Sequence, residues 1–217
     1  MHVFLFDIDG TLLSSGGAGK AALEAGFAEE FGFQAPIDQV RLSGRTDRAI
    51  TTDVLHHAGL PTTPENRNRL LQGYLRHLPA ALRHRPGGVL PGVVDLIARL
   101  QGRSDTTLGL LTGNVRVGAR IKLGHFGLAD HFAFGGYGDD HLHRDDVARE
   151  ALAALQQHHQ GIEPSSLWVI GDTPHDITCA RAIGAHAVAV CTGWHSREEL
   201  AACNPDLLLC DLAAWEV

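Results

Sequence analysis

Cysteine is scarce in this chain, and the few cysteines form no metal-binding or disulfide pattern. Four occur in 217 residues, all between Cys179 and Cys210, and none belongs to a Cys-x-x-Cys pair. This spacing does not suit a zinc site and gives no disulfide framework. We therefore interpret the cysteines as reduced thiols of a cytoplasmic protein.

Long apolar runs and excess positive charge are also missing. No apolar stretch reaches transmembrane length, and Met1 leads into a strand pattern rather than a signal peptide. A formal charge of −7 argues against a nucleic-acid or anionic-membrane surface, although a bound divalent cation would still permit an anionic substrate. The composition, 44% hydrophobic and 20% charged, is that of a globular protein with one or two domains.

Two carboxylates at the end of the first apolar run are the most informative feature. Residues 3–6 have the pattern of a buried strand, and Asp7 and Asp9 follow it. Alternate side chains of an extended segment point the same way, so the two acids lie side by side and repel unless a proton or cation separates them. Gly10 permits a sharp turn, and Thr11 adds a hydroxyl. An Asp-rich turn with no further role is the structural alternative.

Strand and helix patterns alternate beyond residue 88. Short apolar runs predict strands, and apolar residues spaced three and four apart predict helices. The predicted strands are 107–111, 132–134, 167–170, 187–190 and 207–209, and the predicted helices are 92–100, 115–126, 144–158 and 177–183. This alternation predicts a doubly wound parallel α/β sheet, whose ligands bind beyond the carboxyl ends of the strands.

Residues 16–87 differ, because they carry helical patterns and no convincing strand. The predicted helices are 20–31, 47–57 and 65–82. We predict a small all-helical domain at 16–87, inserted after the first strand, and an α/β core made of residues 1–15 and 88–217. Residues 16–20 resemble a nucleotide-binding P-loop, but Ser14 and Ala21 break its pattern, so we interpret the glycines as a hinge.

Polar residues follow three of the predicted strands. Besides Asp7 and Asp9 they are Thr112, Gly113, Asn114, Asp172 and Asp176. Strand ends of one parallel sheet face one crevice, so these residues can converge there. Three or four carboxylates would hold a hard cation such as Mg²⁺, and the hydroxyl and turn amides around Thr112 would suit phosphate oxygens. Arg144, which begins a predicted helix, could add a positive charge.

The ordered set Asp-x-Asp-Gly-Thr, Leu-Thr-Gly-Asn, a basic residue and Gly-Asp-Thr-x-x-Asp resembles the haloacid dehalogenase superfamily of phosphohydrolases. The resemblance covers nearly the whole chain, and the helical insertion resembles the first type of cap domain in that superfamily, as in phosphoglycolate phosphatases. It implies a Rossmann-like core and a Mg²⁺-dependent phosphatase of a small phosphorylated metabolite, phosphoglycolate-like or a sugar phosphate.

The resemblance also implies a role for each matching residue. Asp7 would attack phosphorus and form an aspartyl-phosphate, while Asp9 would protonate the leaving alcohol and then activate water. The metal ligands would be Asp7, the backbone carbonyl of Asp9, and Asp172. Asp176 would orient metal-bound water or the basic residue, and the phosphoryl oxygens would be held by Thr112, Gly113 and Asn114.

The basic residue of the third motif departs from the family pattern. Many members have Lys there, whereas this chain has Arg144. We favour Arg144 because its permanent charge at a helix start can neutralise both nucleophile and phosphate. The rival, Lys122, lies in the helix that follows Thr112, too early in the chain, and we interpret it as a surface residue.

Arg45, in the segment Ser43-Gly44-Arg45-Thr46-Asp47, has two interpretations. Arg45 could reach over the site and bind an anionic group of the substrate, because similar caps use this loop for specificity. Alternatively, Thr46 or Asp47 caps a helix and Arg45 is solvated.

Three other functions are compatible with parts of this pattern. A haloalkanoate dehalogenase needs the nucleophilic Asp but no Mg²⁺, and the resemblance implies that it lacks the second acid, so Asp9 counts against it. A sugar phosphomutase uses the same four motifs, and only the cap could exclude it. A non-catalytic binding protein on this fold is disfavoured by the intact Asp7, Asp9, Thr112 and Asp172.

Overall fold

A computed structural model describes residues 1–159 and 161–216 of the chain. In that part of the chain the strands are β1 (His2–Phe6), β2 (Leu13–Ser14), β3 (Gly88–Val89), β4 (Thr106–Leu111), β5 (Phe134–Gly136), β6 (Leu167–Gly171), β7 (His186–Val190) and β8 (Leu207–Leu209). The helices are α1 (Ala18–Phe31), α2 (Asp47–His57), α3 (Pro64–His84), α4 (Val93–Gln101), α5 (Arg116–His125), α6 (Arg144–His158), α7 (Pro174–Ala182) and α8 (Arg197–Ala202).

Six of these strands form one parallel sheet in the order β5-β4-β1-β6-β7-β8. The chain first builds outward from β1 to β5, then returns to the other side of β1 and builds outward again from β6 to β8. Such a reversal opens a crevice at the carboxyl ends of the two strands that flank it, here β1 and β6. The predicted doubly wound parallel sheet is therefore confirmed, and the residues after β1 and β6 lie where such sheets bind ligands.

Strand β1 lies at the centre because both of its faces are apolar. Phe4 and Phe6 pack into one hydrophobic cluster, and Val3 and Leu5 pack into another on the opposite face. All four side chains are at most 2% exposed, and each contributes roughly 1.5–3 kcal/mol by leaving water. Asp7 thus follows the most firmly held strand of the sheet.

Helices α1, α2 and α3 share a hydrophobic cluster of their own. Its large buried members include Phe27, Leu55, Leu70 and Leu78, and Ile121 of α5 and Phe126, which directly follows α5, pack against it. Within 16–87 the described backbone has helices and no strand, and the antiparallel pair β2 and β3 joins the two ends of this segment. We call residues 16–87 the helical segment; their division from the core as a domain stays a prediction.

Among the described residues, five elements differ clearly from the sequence-based expectation: two have shifted bounds and three were not predicted. The third strand of the sheet spans Phe134–Gly136 rather than 132–134, because a Cβ at Gly136 would overlap the α6 backbone and only glycine fits there. Helix α7 begins at Pro174 rather than 177, since proline suits the first helical turn and Thr173 with Asp176 forms a capping box. The short pair β2 and β3 and the six-residue helix α8 carry too few residues for a periodic pattern.

No helix among the described residues is long and apolar enough to cross a membrane.

Candidate active site

A cavity of about 780 Å³ opens at the carboxyl ends of β1 and β6. Its lining comes from both parts of the chain: Asp7, Asp9 and Asp172 from the sheet ends, and residues such as Arg45 and Tyr74 from the helical segment. A volume of this size is typical of a small-molecule site. The cavity therefore brings the predicted sheet-end residues together with the helical segment.

Three buried carboxylates and one arginine form what we call the acidic cluster: Asp7, Asp172, Asp176 and Arg144. One oxygen from each of the three acids lies within 4.8 Å of the others. Arg144 Nη2 lies 2.5 Å from Asp176 Oδ1 and 3.6 Å from Asp7 Oδ1. All four residues are at most 6% exposed. Arg144 therefore pairs with two of the three carboxylates, and no ion pair from the described residues reaches Asp172.

The carboxyl groups of Asp7 and Asp172 in the acidic cluster have raised pKa values, because they are buried and lie close to other carboxylates. Burial raises the pKa of Asp7 to about 7, against the opposing effect of Arg144, and Asp176 and Asp9 raise it further. Burial also raises the pKa of Asp172 to about 8, with added repulsion from Asp176 and Asp7. A dication among these oxygens would favour their ionised forms. The donor set, three hard oxygens, is the kind that Mg²⁺ prefers.

Arg144 is fixed by the residues around it. Burial by itself lowers the pKa of its guanidinium, but Asp176 and then Asp7 raise it by a larger amount, so it stays charged. The same Nη2 also donates to the carbonyl of Leu111 at 3.3 Å, and within the described residues Nε is buried without a hydrogen-bond partner. The prediction that Arg144 reaches this cluster is therefore supported by its position.

Asp9 lies in a different arrangement, the lysine cluster, made of Asp9, Asn114 and Lys122. Lys122 Nζ donates to Asp9 Oδ2 at 2.6 Å and to Asn114 Oδ1 at 2.7 Å. Asn114 Nδ2 donates to the same Asp9 oxygen at 2.9 Å. The side chain of Lys122 is only 6% exposed, whereas that of Asp9 is 38% exposed. The interpretation of Lys122 as a surface residue is therefore wrong, and its early position in the chain does not keep it from the site.

Residues of the helical segment surround Lys122. Burial lowers the pKa of the ammonium, but Asp9, Tyr74 and Asp47 together raise it above its ordinary value. Burial raises the pKa of Asp47 to about 6, against the opposing effects of Lys122 and of the Val115 N–H. Asp47 Oδ2 accepts from that N–H at 2.8 Å. Helices α2 and α3 thus contribute groups to the field around Asp9.

Close backbone approach shapes the wall beside Asp172. Gly10 has φ +84°, and a Cβ there would lie 2.5 Å from Asp172 Oδ2. A Cβ on Gly193, in the loop after β7, would overlap the same carboxylate oxygen. Thr11 Oγ1 donates to Asp172 Oδ1 at 3.2 Å, so the hydroxyl anticipated at this turn does reach the site. Glycine at both positions is required for Asp172 to sit here.

The predicted phosphate-binding residues follow β4 directly. Thr112 is fully buried, and its Oγ1 accepts from Asn114 N at 3.3 Å and from Asn114 Nδ2 at 2.8 Å. Gly113 O accepts from the N–H of Asp47 at 2.7 Å, and a Cβ on Gly113 would overlap the carbonyl of Arg45. The amide of Asn114 therefore belongs to the lysine cluster, and Gly113 holds the helical segment against the sheet end.

Arg45 contributes to the cavity lining, and its neighbours bear on the two interpretations of this segment differently. Thr46 Oγ1 accepts from Ala49 N at 3.1 Å and caps α2. The guanidinium of Arg45 is 29% exposed and pairs with Asp53 at 2.9 Å. Arg45 nevertheless contributes to the cavity lining. The helix-capping interpretation is confirmed for Thr46, and a substrate contact of Arg45 stays a prediction.

Sequence reasoning named Lys122 only as the rival of Arg144 and set it aside, named Asp47 only as a possible helix cap, and missed Gly193. A signal for Lys122 exists: it lies on the inward face of α5, together with the buried residues Ala119 and Leu123. A charge on the apolar face of a helix needs a buried partner. Asp47 and Gly193 carry no such signal, because their relevance depends on contacts with residues far away in the chain.

Comparisons with known proteins agree with this geometry. A family model described as haloacid dehalogenase-like hydrolase matches residues 4–181. A phosphoglycolate phosphatase of Synechococcus elongatus is 35% identical over 210 residues, covering 96% of this chain and 92% of that protein. A phosphoglycolate phosphatase of Chromobacterium violaceum is 28% identical over 205 residues, covering 91% and 88%. The structure of CbbY from Rhodobacter sphaeroides in complex with phosphate has a TM-score of 0.78 at 19% identity, covering 99% and 96%.

Proposed function

Since this chain belongs to the haloacid dehalogenase-like hydrolase family and is a phosphatase that hydrolyses phosphate esters, we propose that it acts on a small phosphorylated metabolite through an aspartyl-phosphate on Asp7, with Mg²⁺ as cofactor. The observation that carries the proposal is the buried group of Asp7, Asp172 and Asp176, of which Asp7 and Asp172 line the cavity beyond β1 and β6.

Asp7 and Asp172, with the backbone carbonyl of Asp9, would hold the metal. The raised pKa values of both Asp7 and Asp172 fit a site that needs a dication. When bound, Mg²⁺ would offset the repulsion between these carboxylates and an incoming phosphate and would stabilise charge on the phosphoryl oxygens. Asp176 is already engaged by Arg144 and by Thr173 N and Oγ1, at 3.0 and 2.8 Å from its other oxygen. We therefore assign Asp176 to orienting Arg144.

Asp7 is the proposed nucleophile. One of its oxygens attacks phosphorus, the bond from phosphorus to the leaving oxygen breaks, and the phosphoryl group is transferred to Asp7. Arg144, 3.6 Å from Asp7 Oδ1, supplies permanent positive charge beside the reacting oxygens. Thr112, the backbone at Gly113 and Asn114 are proposed to hold the phosphoryl oxygens from the β4 side.

Asp9 is the proposed acid and base. In the first step its proton goes to the leaving oxygen, which departs as an alcohol. In the second step the Asp9 carboxylate takes a proton from water, the water oxygen attacks phosphorus, and the bond between Asp7 and phosphorus breaks. The products are inorganic phosphate and free Asp7. Asp9 is suited to this exchange because its side chain is 38% exposed and faces the cavity.

The helical segment is proposed as the cap domain, and residues 1–15 and 88–217 as the catalytic core. The short pair β2 and β3 and the glycines before α1 would form the connection between them. Arg45 would contact the part of the substrate that leaves. Because the curated relatives named above are phosphoglycolate phosphatases, we propose a small acidic phosphate monoester or a sugar phosphate as the substrate class.

A panel of phosphate monoesters, assayed with and without Mg²⁺, tests the proposal. We expect phosphate release that stops with a chelator and returns when Mg²⁺ is added. Hydrolysis that persists through exhaustive chelation, together with halide release from a haloacid, would instead establish a dehalogenase. Conversion of one sugar phosphate isomer into another without phosphate release would establish a phosphomutase.

A further inference from the structure

The described residues hold the Asp9 side chain through only one of its two carboxyl oxygens. Both of its side-chain partners, Lys122 Nζ at 2.6 Å and Asn114 Nδ2 at 2.9 Å, donate to Oδ2. No donor from the described residues 1–159 and 161–216 forms a hydrogen bond with Oδ1. Two donors on a single oxygen fix the rotation of a carboxyl group, since both bonds depend on its plane. Oδ1 is therefore the oxygen left to exchange a proton.

Lys122 is itself firmly placed. Its side chain is buried in α5 and makes its second hydrogen bond to Asn114 Oδ1 at 2.7 Å, so Lys122, Asn114 and Asp9 close a ring of three contacts. Asn114 is tied to Thr112 in turn. A buried ammonium with two acceptors stays charged and immobile. The position of Asp9 Oδ2 thus depends on α5, outside the predicted catalytic motifs.

We propose that Lys122 is a positioning residue for proton transfer, which holds Oδ2 of Asp9 so that Oδ1 faces the leaving oxygen. This inference rests on the proposed function of Asp9. Lys122 keeps its own proton throughout; the proton that reaches the leaving oxygen comes from Asp9. Lys122 therefore differs from Arg144, whose contacts are with Asp7 and Asp176 and whose charge acts on the phosphoryl group.

Leaving-group dependence distinguishes these two roles. A leaving group whose protonated form is a strong acid can depart as an anion, whereas one whose protonated form is a weak acid must receive a proton as it departs. We expect Lys122→Met to lower kcat/KM for phenyl phosphate by ~10²-fold and for 2,4-dinitrophenyl phosphate by less than about fivefold, because assistance by a general acid contributes 10²-fold or more. Lys122→Arg should recover part of the loss with phenyl phosphate.

Lys20 offers a matched control, since Lys20 and Lys122 are the two lysines of the chain and both line the cavity. Lys20 is 43% exposed and pairs with Asp38 at 2.6 Å, so Lys20→Met removes the same charge without touching Asp9. We expect the ratio of the two kcat/KM values to change by less than about twofold in that variant. Equal losses on both esters in Lys122→Met would overturn the proposal and make Lys122 a second cation for phosphate.

A double variant keeps the proposal testable if Lys122→Met alone does not fold. Asp9→Asn combined with Lys122→Met removes both charges of the pair, so neither is left buried and unpaired. Because Lys122 acts through Asp9, the double variant should hydrolyse phenyl phosphate within about threefold of Asp9→Asn alone. A further loss of tenfold or more would show an independent role and contradict the proposal. If the wild-type protein hydrolyses neither ester, the proposed function fails rather than this inference.

Discussion

The acidic cluster and the lysine cluster lie side by side in one cavity but are balanced differently. In the acidic cluster, Arg144 pairs with two of three buried carboxylates, and the pKa of both Asp7 and Asp172 is raised, mainly by burial and also by neighbouring acids. In the lysine cluster, one ammonium faces one carboxylate and an amide, with a bond from Lys122 to each. On our proposal a bound cation balances the first cluster, whereas the ammonium of Lys122 already balances Asp9 in the second.

This difference indicates a division of labour along the end of β1. The proposed nucleophile, Asp7, lies among groups that favour a metal, and the proposed acid and base, Asp9, lies beside a fixed donor. Asp7 and Asp9 are only two residues apart at the end of β1, yet they lie in these two different environments.

The largest effect is expected from Asp7→Asn. An amide of the same shape cannot attack phosphorus, so hydrolysis of a generic aryl phosphate should fall by at least ~10⁴-fold while the circular dichroism spectrum stays unchanged. Asp105→Asn, at an exposed acid paired with Arg103, is the control. Near-normal hydrolysis by Asp7→Asn would show that the acidic cluster does not contain the nucleophile.

Arg144→Ala should have the next largest effect. It leaves Asp7 and the incoming phosphate without their permanent counter-charge, and removing such a charge from a dry site costs ~10²–10³-fold in kcat/KM. Arg144→Lys should recover much of this loss, since the charge returns and only the fork geometry is lost. Unlike Lys122→Met, Arg144→Ala should slow phenyl and dinitrophenyl esters alike; a loss limited to the phenyl ester would show that the two clusters share one task.

Arg45→Ala should have a smaller and selective effect. If Arg45 leaves Asp53 to bind an anionic group of the natural substrate, its loss should lower kcat/KM for that substrate by ~10–100-fold, the worth of one charge-assisted hydrogen bond. An aryl phosphate offers no such group and should lose less than about threefold. Arg48→Ala is a suitable control, because Arg48 lies close by in the first turn of α2 and pairs with Asp140 at 3.8 Å. Equal losses on both substrates would make Arg45 structural.

The smallest effects concern stability, and they should have opposite signs in the two clusters. With a chelator present, Asp172→Asn should raise the free energy of unfolding by at least about 1 kcal/mol, the worth of one pKa unit. A raised pKa means that the ionised carboxylate destabilises the fold, so the gain should be largest above pH 8, shrink steadily as the pH falls from about 8, and be lost below the ordinary pKa of 3.8.

Asp9→Asn should instead lower the free energy of unfolding by about 1–3 kcal/mol, because it removes a charged partner of the buried Lys122. Urea denaturation at pH 6 and pH 9 measures both variants. If both variants changed the free energy of unfolding in the same direction at pH 9, the two clusters would not differ in their balance of charge.

The sheet and the acidic cluster could be predicted because each depends on a local pattern. An apolar run ending in Asp marks a strand end, and parallel strands place such ends together, which is why Asp7 and Asp172 were found without a structure. Arg144 was found from its position at a helix start. These predictions used only short-range periodicity and the general topology of alternating strands and helices.

Lys122 was misjudged because position along the chain was taken as a guide to position in space. Helix α5 runs back across the end of β1, so a residue ten positions after Thr112 returns to Asp9. The helical pattern of α5 placed Lys122 among buried residues, and that burial was the better guide. Asp47 and Tyr74 could not be placed from sequence, since their contacts depend on how the helical segment packs against the core.

The two-residue pairing of Leu13–Ser14 with Gly88–Val89 has a consequence for how such proteins can be recombined. The chain leaves the sheet and returns to it at neighbouring points, so the whole segment between them is connected to the sheet at one place. Closing a loop across ends that already lie together adds little entropy cost, whatever its length. A segment of another size could therefore be grafted between residues 15 and 87 without disturbing the sheet, and a new specificity could be acquired as a single insertion.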